Sequence, residues 1–546
     1  MINKIFGYFK SHKLLTILLL LFFIIRLLYL DQINLLHDEK DIALTGYFLA
    51  KSLKSLSGIF LPLNFIDVSV GSPFLSFYYS ALWWIILPFK SVFFARFPYV
   101  FITSFLIFIV YEFILQITRD KNISTITAII FCFSPWIFHT TRFTLDIPLG
   151  LVFLLLAMIL YLRKKRFYSY LLFFLAFNSY QGFRILIPFL LIYLELFFYI
   201  NKQSLQKFIK NNLLNIIFIA FLIVFSFTID SKITKDRLDN IVFFNQQNLA
   251  HQVDFKRNTS IAPNILKKAF NNKATETINY LLNNFIQGQD LSYLFKQGDP
   301  SAINGSTSAG QFFLPFLLFY YLGFVNIGKR LKKEDFYIFV LSFIALIPSL
   351  ISVNGVSFSF RSILSGLGFS YILSLGILFS FGIYKKIKSK YKVLIAFIFV
   401  FIILININYF IYNYYFRRPI AISELFNENE RQIAKYLNEN ANNKYAIYHN
   451  SPKEIFMSYI FFNNTDIDMK KAQLQFKKGQ PFIWNNFSFM NCNNKINYKN
   501  IKNAIVSEYC LDKKVYEYLN DESNKKIEHK IPYSDISEKT AYFVFK

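Results

Sequence analysis

Cysteine is scarce in this chain: there are three in 546 residues. Cys132 lies inside an apolar run and reads as a small buried residue. Cys492 and Cys510 lie in the polar C-terminal region, where they could pair if that region faces an oxidising compartment. Acidic residues are also few, 33 against 59 Lys and Arg, for a net charge of +26. That excess does not point to nucleic acid, because a nucleic-acid protein concentrates its basic residues on one soluble face. Here most lie in short loops between apolar runs, the pattern that encodes membrane topology. The first apolar run is followed by no small-residue cleavage site, so it reads as a retained helix and not a cleaved signal peptide. No internal repeat or low-complexity segment stands out.

What the chain has in abundance is apolar and aromatic residues: 54% hydrophobic, with 69 Phe and 35 Tyr, and a mean hydropathy of +0.37. A soluble protein of this size does not carry so many, which predicts a polytopic membrane protein. Runs able to span a bilayer, which needs about 20 apolar residues, fall at 14–30, 92–117, 123–139, 147–162, 167–183, 184–200, 213–229, 310–327, 336–351, 362–383 and 392–411. A twelfth run, 74–89, is bounded by Pro73 and Pro88 and holds Trp83 and Trp84, residues that favour the interface. If it lies on the surface, every basic loop (163–166, 329–333 and 385–392) falls in the cytoplasm beside Lys4, Lys10 and Lys13. Eleven spans are therefore expected. The outer side then holds the loops 31–91 and 230–309 and a tail from about 412. Residues 42–56 read as an amphipathic helix on the membrane surface, the second of two interfacial helices in the first outer loop. The tail, with strand-like runs at 445–448 and 542–545 and a helical one at 428–440, predicts a small α/β domain over 412–546, after a membrane domain over 1–411.

Several charged residues share that outer side. His37-Asp38-Glu39-Lys40-Asp41 follows the first span, Arg142 and Asp146 flank the turn after the third, Arg184 opens the sixth and Arg361 the tenth. Ionisable groups at helix ends in a bilayer are costly unless paired or functional, so each is a site candidate. The span interiors are almost free of charge, Glu112 and Glu195 near cytoplasmic ends being the main exceptions. A transporter or flippase of a lipid-linked glycan, the competing class, is expected to carry charge midway along its spans.

The order of these features resembles the lipid-linked sugar glycosyltransferases of the GT-C fold, such as the aminoarabinose transferases of lipid A and the protein O-mannosyltransferases. The resemblance runs through Asp38-Glu39 with the surface helix after it, Ser72-Pro73-Phe74, Ala95-Arg96-Phe97-Pro98, and Ser134-Pro135 with Arg142 and Asp146. It covers about 200 residues well and continues loosely through Gly298-Asp299 and Gly323 to Arg361. Where such enzymes often have His or Lys with a double proline, this chain has Gly71-Ser72-Pro73. The resemblance implies a plasma-membrane enzyme with a cytoplasmic N-terminus. It would transfer a sugar, with inversion, from a polyprenyl-phosphate donor to a lipid, glycan or protein acceptor outside. Asp38 would be the general base, with Glu39 and Asp146 assisting. Arg184, Arg361 and Arg142 would bind the donor phosphate. Relatives differ in using a divalent cation; Glu39 and Asp146 are the ligands it would draw on here. His37, Lys40 and Asp41 read as solvated neighbours.

Overall fold

The computed structural model describes residues 12–65, 72–87, 89–200, 205–229, 246–353, 355, 359–463, 467–492, 501–521, 527–535, 537 and 539–545. Lys4, Lys10, Gly71 and Pro88 lie outside them. The chain divides into two compact units. The first comprises Met1–Leu28, Tyr99–Arg142 and Asp146–Tyr414; the second comprises Tyr29–Pro98, Phe143–Leu145 and Tyr415–Lys546.

The first unit is helical. Each apolar run expected to span has a helix in it: Lys13–Leu27, Leu106–Thr118, Lys121–Phe133, Asp146–Leu162, Arg166–Phe177, Gln181–Ile200, Leu205–Ile229, Phe316–Arg330, Lys333–Leu350, Ser365–Lys386 and Ser389–Tyr412. Among the described residues, four helical stretches are long and apolar enough to cross a membrane by length and composition: Val92–Thr118, Asn212–Ile229, Ser365–Lys386 and Tyr391–Ala421. Two expected spans are shorter than anticipated. The run 123–139 breaks at Ser134, whose hydroxyl caps a new short helix, Pro135–Thr140, by accepting from Ile137 N at 3.2 Å. Pro at the first helical position has no N–H to lose there. The run 167–183 breaks at Asn178, where helix Arg166–Phe177 ends. Helices Phe316–Arg330 and Ser365–Lys386 approach closely through Gly323 and Gly376. A β-carbon on either would collide with the carbonyl of Ile372 or Phe319. This is the small-residue contact that membrane helices use when no hydrophobic force drives them together.

Glu112 and Glu195, the two acids noted inside spans, are neutralised from the 163–166 basic loop. Arg163 bonds Glu112 at 2.5 Å and Arg166 bonds Glu195 at 2.5 Å.

The second unit joins residues 29–98 to the tail in one core. Leu35, Ala43, Leu44, Phe48, Trp84 and Ala95 pack in the same cluster as Ile447, Phe456, Phe489 and Val544. A domain of 412–546 alone would leave that shared apolar surface in water. Helix His37–Ser52 accordingly buries Ile42, Ala43, Leu44, Phe48 and Leu49 inside the protein, and is not the membrane-surface amphipathic helix expected over 42–56. Helix Leu75–Trp84 has ten residues. At 1.5 Å per residue it extends about 15 Å, half of a roughly 30 Å hydrocarbon layer.

A hairpin pairs β1 (Asn64–Phe65) with β2 (Ser72–Pro73). The tail carries a mixed six-stranded sheet of β3 (Tyr445–His449), β4 (Phe482–Trp484), β5 (Phe487–Asn491), β6 (Ala504–Ser507), β7 (Ile527–Pro532) and β8 (Thr540–Phe545), in the order β4-β5-β3-β6-β8-β7. β3 runs parallel to both β5 and β6; the outer pairings are antiparallel. Cys492 and Cys510 are bonded as a disulfide.

Candidate functional site

The acidic cluster forms the first turn of helix His37–Ser52, and its members face different surroundings. Leu36 is the N-cap, and its N–H donates to Glu39 Oε2 at 3.0 Å. Glu39 is completely buried. Its two oxygens accept from Arg96 Nε at 2.9 Å and Nη2 at 2.7 Å, and Oε1 also accepts from Thr144 N at 2.8 Å. The remaining Arg96 N–H groups donate to the carbonyls of Leu30, Ile33 and Asn34 at 2.8–2.9 Å. All five guanidinium donors are thus used.

This geometry corrects the sequence reading of Glu39. A carboxylate saturated by a bidentate arginine and two backbone N–H groups has no lone pair turned to a cation or a substrate. It does not fit as a metal ligand or as a catalytic acid; it fixes the helix start. Among the described residues no group of three or more His, Cys, Asp or Glu side chains could hold a metal ion.

Lys40 and Asp41 are not solvated neighbours either; both are buried. Lys40 Nζ pairs with Glu430 and lies 3.6 Å from Glu454 Oε2. His37 Nε2 bonds Glu430 Oε1 at 3.2 Å, and Ser458 Oγ donates to Glu430 Oε2 at 2.6 Å. Burial alone would raise the Glu430 pKa, but Lys40 and His37 more than offset it and hold the carboxyl well below the ordinary range. Burial opposes charge on His37, but the Glu430 hydrogen bond together with the negative charges of Glu430 and Glu454 more than offsets it, so its pKa lies above the usual 6.5. Nearby His449 accepts from Ser451 N at 2.9 Å, and burial lowers its pKa to about 4. Asp38 is exposed at the helix start, between these fixed neighbours.

The other predicted residues belong to the first unit. Arg142 is buried, donating to the Leu28 carbonyl at 2.7 Å, with its guanidinium 5.3 Å from the Tyr414 ring and 5.6 Å from that of Phe138. Asp146 is half-buried as the first residue of helix Asp146–Leu162. Half-buried Arg184 donates to the Phe177 carbonyl at 3.3 Å. Arg361 sits half-buried in the turn Ser359–Ser362, which Asp299 anchors: its Oδ2 accepts from Ser359 N at 2.6 Å and its Oδ1 from Ser301 N at 2.8 Å. Burial lifts the Asp299 pKa to about 6 against the pull of those backbone bonds. His139 spans the Ile303 carbonyl at 2.9 Å and Tyr414 Oη at 3.0 Å.

Arg26 escaped the sequence reading, although a lone arginine inside an apolar run was signal enough. It is fully buried, donating to Thr103 Oγ1 at 2.7 Å, Thr141 Oγ1 at 2.8 Å, Ser104 Oγ at 2.5 Å, and the Val100 and Phe22 carbonyls at 3.0 Å. Glu430 and Glu454 were missed because nothing in the tail's sequence points to a helix nearly 400 residues earlier.

No protein-family profile and no curated protein matches this chain. Among solved structures it is similar to the archaeal oligosaccharyltransferase AglB from Archaeoglobus fulgidus, solved with an inhibitory peptide and a dolichol-phosphate. Identity is 11% and the TM-score 0.44, over 83% of this chain. The chain spans 64% of that structure's length.

Proposed function

We propose that the protein is an integral membrane glycosyltransferase that takes a sugar from a polyprenyl-phosphate donor and passes it to an acceptor outside the cytoplasm. Asp38 is the general base. It takes the proton of the acceptor hydroxyl as that oxygen attacks the anomeric carbon. The bond from that carbon to the phosphate oxygen breaks, with inversion, and polyprenyl phosphate leaves. Arg184, Arg361 and Arg142 balance the charge that develops on the phosphate, and Asp146 assists the base. No step is assigned to Glu39, whose role is to hold the helix.

The observation that carries this reading is the sorting of the acidic cluster. Glu39, Lys40 and Asp41 are buried, whereas Asp38 is the exposed carboxylate on a helix start held by two sets of buried ion pairs. A base needs both access and fixed position. The Cys492–Cys510 disulfide supports an oxidising location for the tail, and the basic loops support a cytoplasmic location for the opposite side.

The test is transfer from a radiolabelled polyprenyl-phosphate sugar by the purified protein in detergent. Asp38→Asn is expected to lower transfer by about 10²–10⁴-fold, the usual weight of general-base catalysis, with the unfolding midpoint unchanged. Full activity in that variant sinks the assignment. Arg184→Ala should cost roughly 10²–10³-fold, as loss of one charge-stabilising group does. Movement of an intact lipid-linked glycan across proteoliposomes, with no transfer product, would instead make the protein a flippase.

A further inference from the structure

We infer that residues 246–288 form a foot that docks on the bilayer surface, inserting an apolar edge among acyl chains and setting lysines against anionic headgroups. The segment folds as helices Gln246–Asn258, Asn264–Phe270 and Lys273–Gly288. Its outer two helices are tied together by the Lys256–Glu276 ion pair at 2.6 Å and by Arg257 Nε donating to the Asn271 carbonyl at 2.8 Å.

Helix Lys273–Gly288 has two different faces. One is bound to the protein where helix Lys333–Leu350 ends: Tyr280 Oη donates to the Ser352 carbonyl at 2.6 Å, Asn284 Nδ2 to that of Leu350 at 2.9 Å, and the Phe285 and Phe343 rings stack at 5.4 Å. The other carries Ile278, Leu282 and Ile286, four residues apart and therefore in one stripe, each more than half exposed. The stretch before it shows Ile261 fully exposed and, in helix Asn264–Phe270, Ile265 82% exposed and Phe270 71% exposed. So many large aliphatic and aromatic side chains in water, within 26 residues, mark an interaction surface.

Charge decides the partner. Residues 246–288 hold five basic residues (Lys256, Arg257, Lys267, Lys268 and Lys273) and two acidic ones (Asp254 and Glu276), a net of +3. Apolar side chains interleaved with lysines, on a platform anchored where an apolar helix leaves its apolar stretch, fit the boundary between acyl chains and anionic headgroups. A second protein copy would have to bury these lysines against acids, and the segment offers only Asp254 and Glu276.

The test uses the full chain in vesicles of equal parts phosphatidylcholine and phosphatidylglycerol. Ile265→Cys, Leu282→Cys and, as a control beside the Tyr280 and Asn284 face, exposed Gln287→Cys each receive an environment-sensitive fluorophore. Cys132 is buried and the other two cysteines are bonded, so the new thiol takes the label. Labels at 265 and 282 should be quenched by doxyl groups carried on lipid and shielded from aqueous iodide, and the label at 287 the reverse. Quenching by iodide at 265 and 282 overturns the proposal. So does an apolar signal that neither quencher reaches, which denotes a protein partner, or one that added polyprenyl phosphate abolishes, which denotes the donor chain as occupant. Lys267→Gln with Lys268→Gln should reduce lipid quenching at 265 in these vesicles and leave it unchanged in phosphatidylcholine alone; equal quenching in both overturns the role of charge.

Discussion

Two buried arginines, one in each unit, are held in opposite ways. In the first unit Arg26 is surrounded by neutral oxygens from Thr103, Ser104, Thr141, Val100 and Phe22, with the Phe22 ring 3.7 Å from its guanidinium carbon. In the second unit Arg96 is matched against one carboxylate, Glu39, and three carbonyls. The first arrangement spreads the charge over many weak acceptors, so no single partner dominates. The second concentrates it in one pair, so either member alone is a large liability. A region that must hold one helix start in a fixed pose gains from the second kind.

The largest effect is therefore expected in the second unit. Arg96→Met leaves Glu39 buried without its counter-charge, which typically costs about 3–5 kcal/mol. The unfolding midpoint in detergent should fall steeply, and transfer activity with it. The double variant Arg96→Met, Glu39→Gln removes the stranded charge and should recover most of the midpoint while activity stays low. If the single variant is as stable as the parent, the pair does not organise the helix and the comparison collapses.

The reasons this pair was not legible in the sequence are geometric. The eleven apolar runs announced their helices, because a bilayer-length run of Leu, Ile and Phe has few other uses. The acidic cluster announced itself too, as charge at the edge of such a run. What could not be read was the sorting within it. Successive helix residues point about 100° apart, so Asp38, Glu39 and Lys40 face three environments. The partners that define those environments lie 57 residues away for Glu39 and 390 for Lys40. The breaks at Ser134 and Asn178 were hidden differently, since polar caps inside apolar runs read as tolerated interruptions.

A smaller effect is expected around Arg26. Thr141→Val removes one hydroxyl acceptor with little change of shape and leaves the Arg26 N–H that bonds it only the Thr141 carbonyl at 3.5 Å, a loss of at most roughly 1–3 kcal/mol. Ser104→Ala should behave alike. Because the charge is shared, neither loss should approach that of Arg96→Met in the same unfolding assay. A drop of equal size would mean that Arg26 also depends on a single partner.

The smallest effect concerns pH and the ion pairs linking helix His37–Ser52 to the tail. His37 has a pKa raised in the folded protein above 6.5, so its contribution is fully present below pH 6.5 and is lost as pH rises through the folded value. Glu430 has a depressed pKa, so its contribution is present above its ordinary value of 4.5 and is lost as pH falls toward the folded one. The clamp is strongest where both hold, between these limits. The other charged groups facing this pair are Lys40, which repels His37⁺ while attracting Glu430, and Glu454, 3.8 Å from His37 Nδ1. His37→Gln should therefore flatten the decline of the unfolding midpoint above pH 6.5 and leave the acid limb in place. An unchanged alkaline limb would assign that decline to another group. Glu428 acts in a different window: raised to about 7 by burial with Arg431 opposing, it loses its contribution as pH rises from 4.5 to about 7. Glu428→Gln should flatten only the decline between pH 4.5 and about 7, and an unchanged slope there would remove Glu428 from the account.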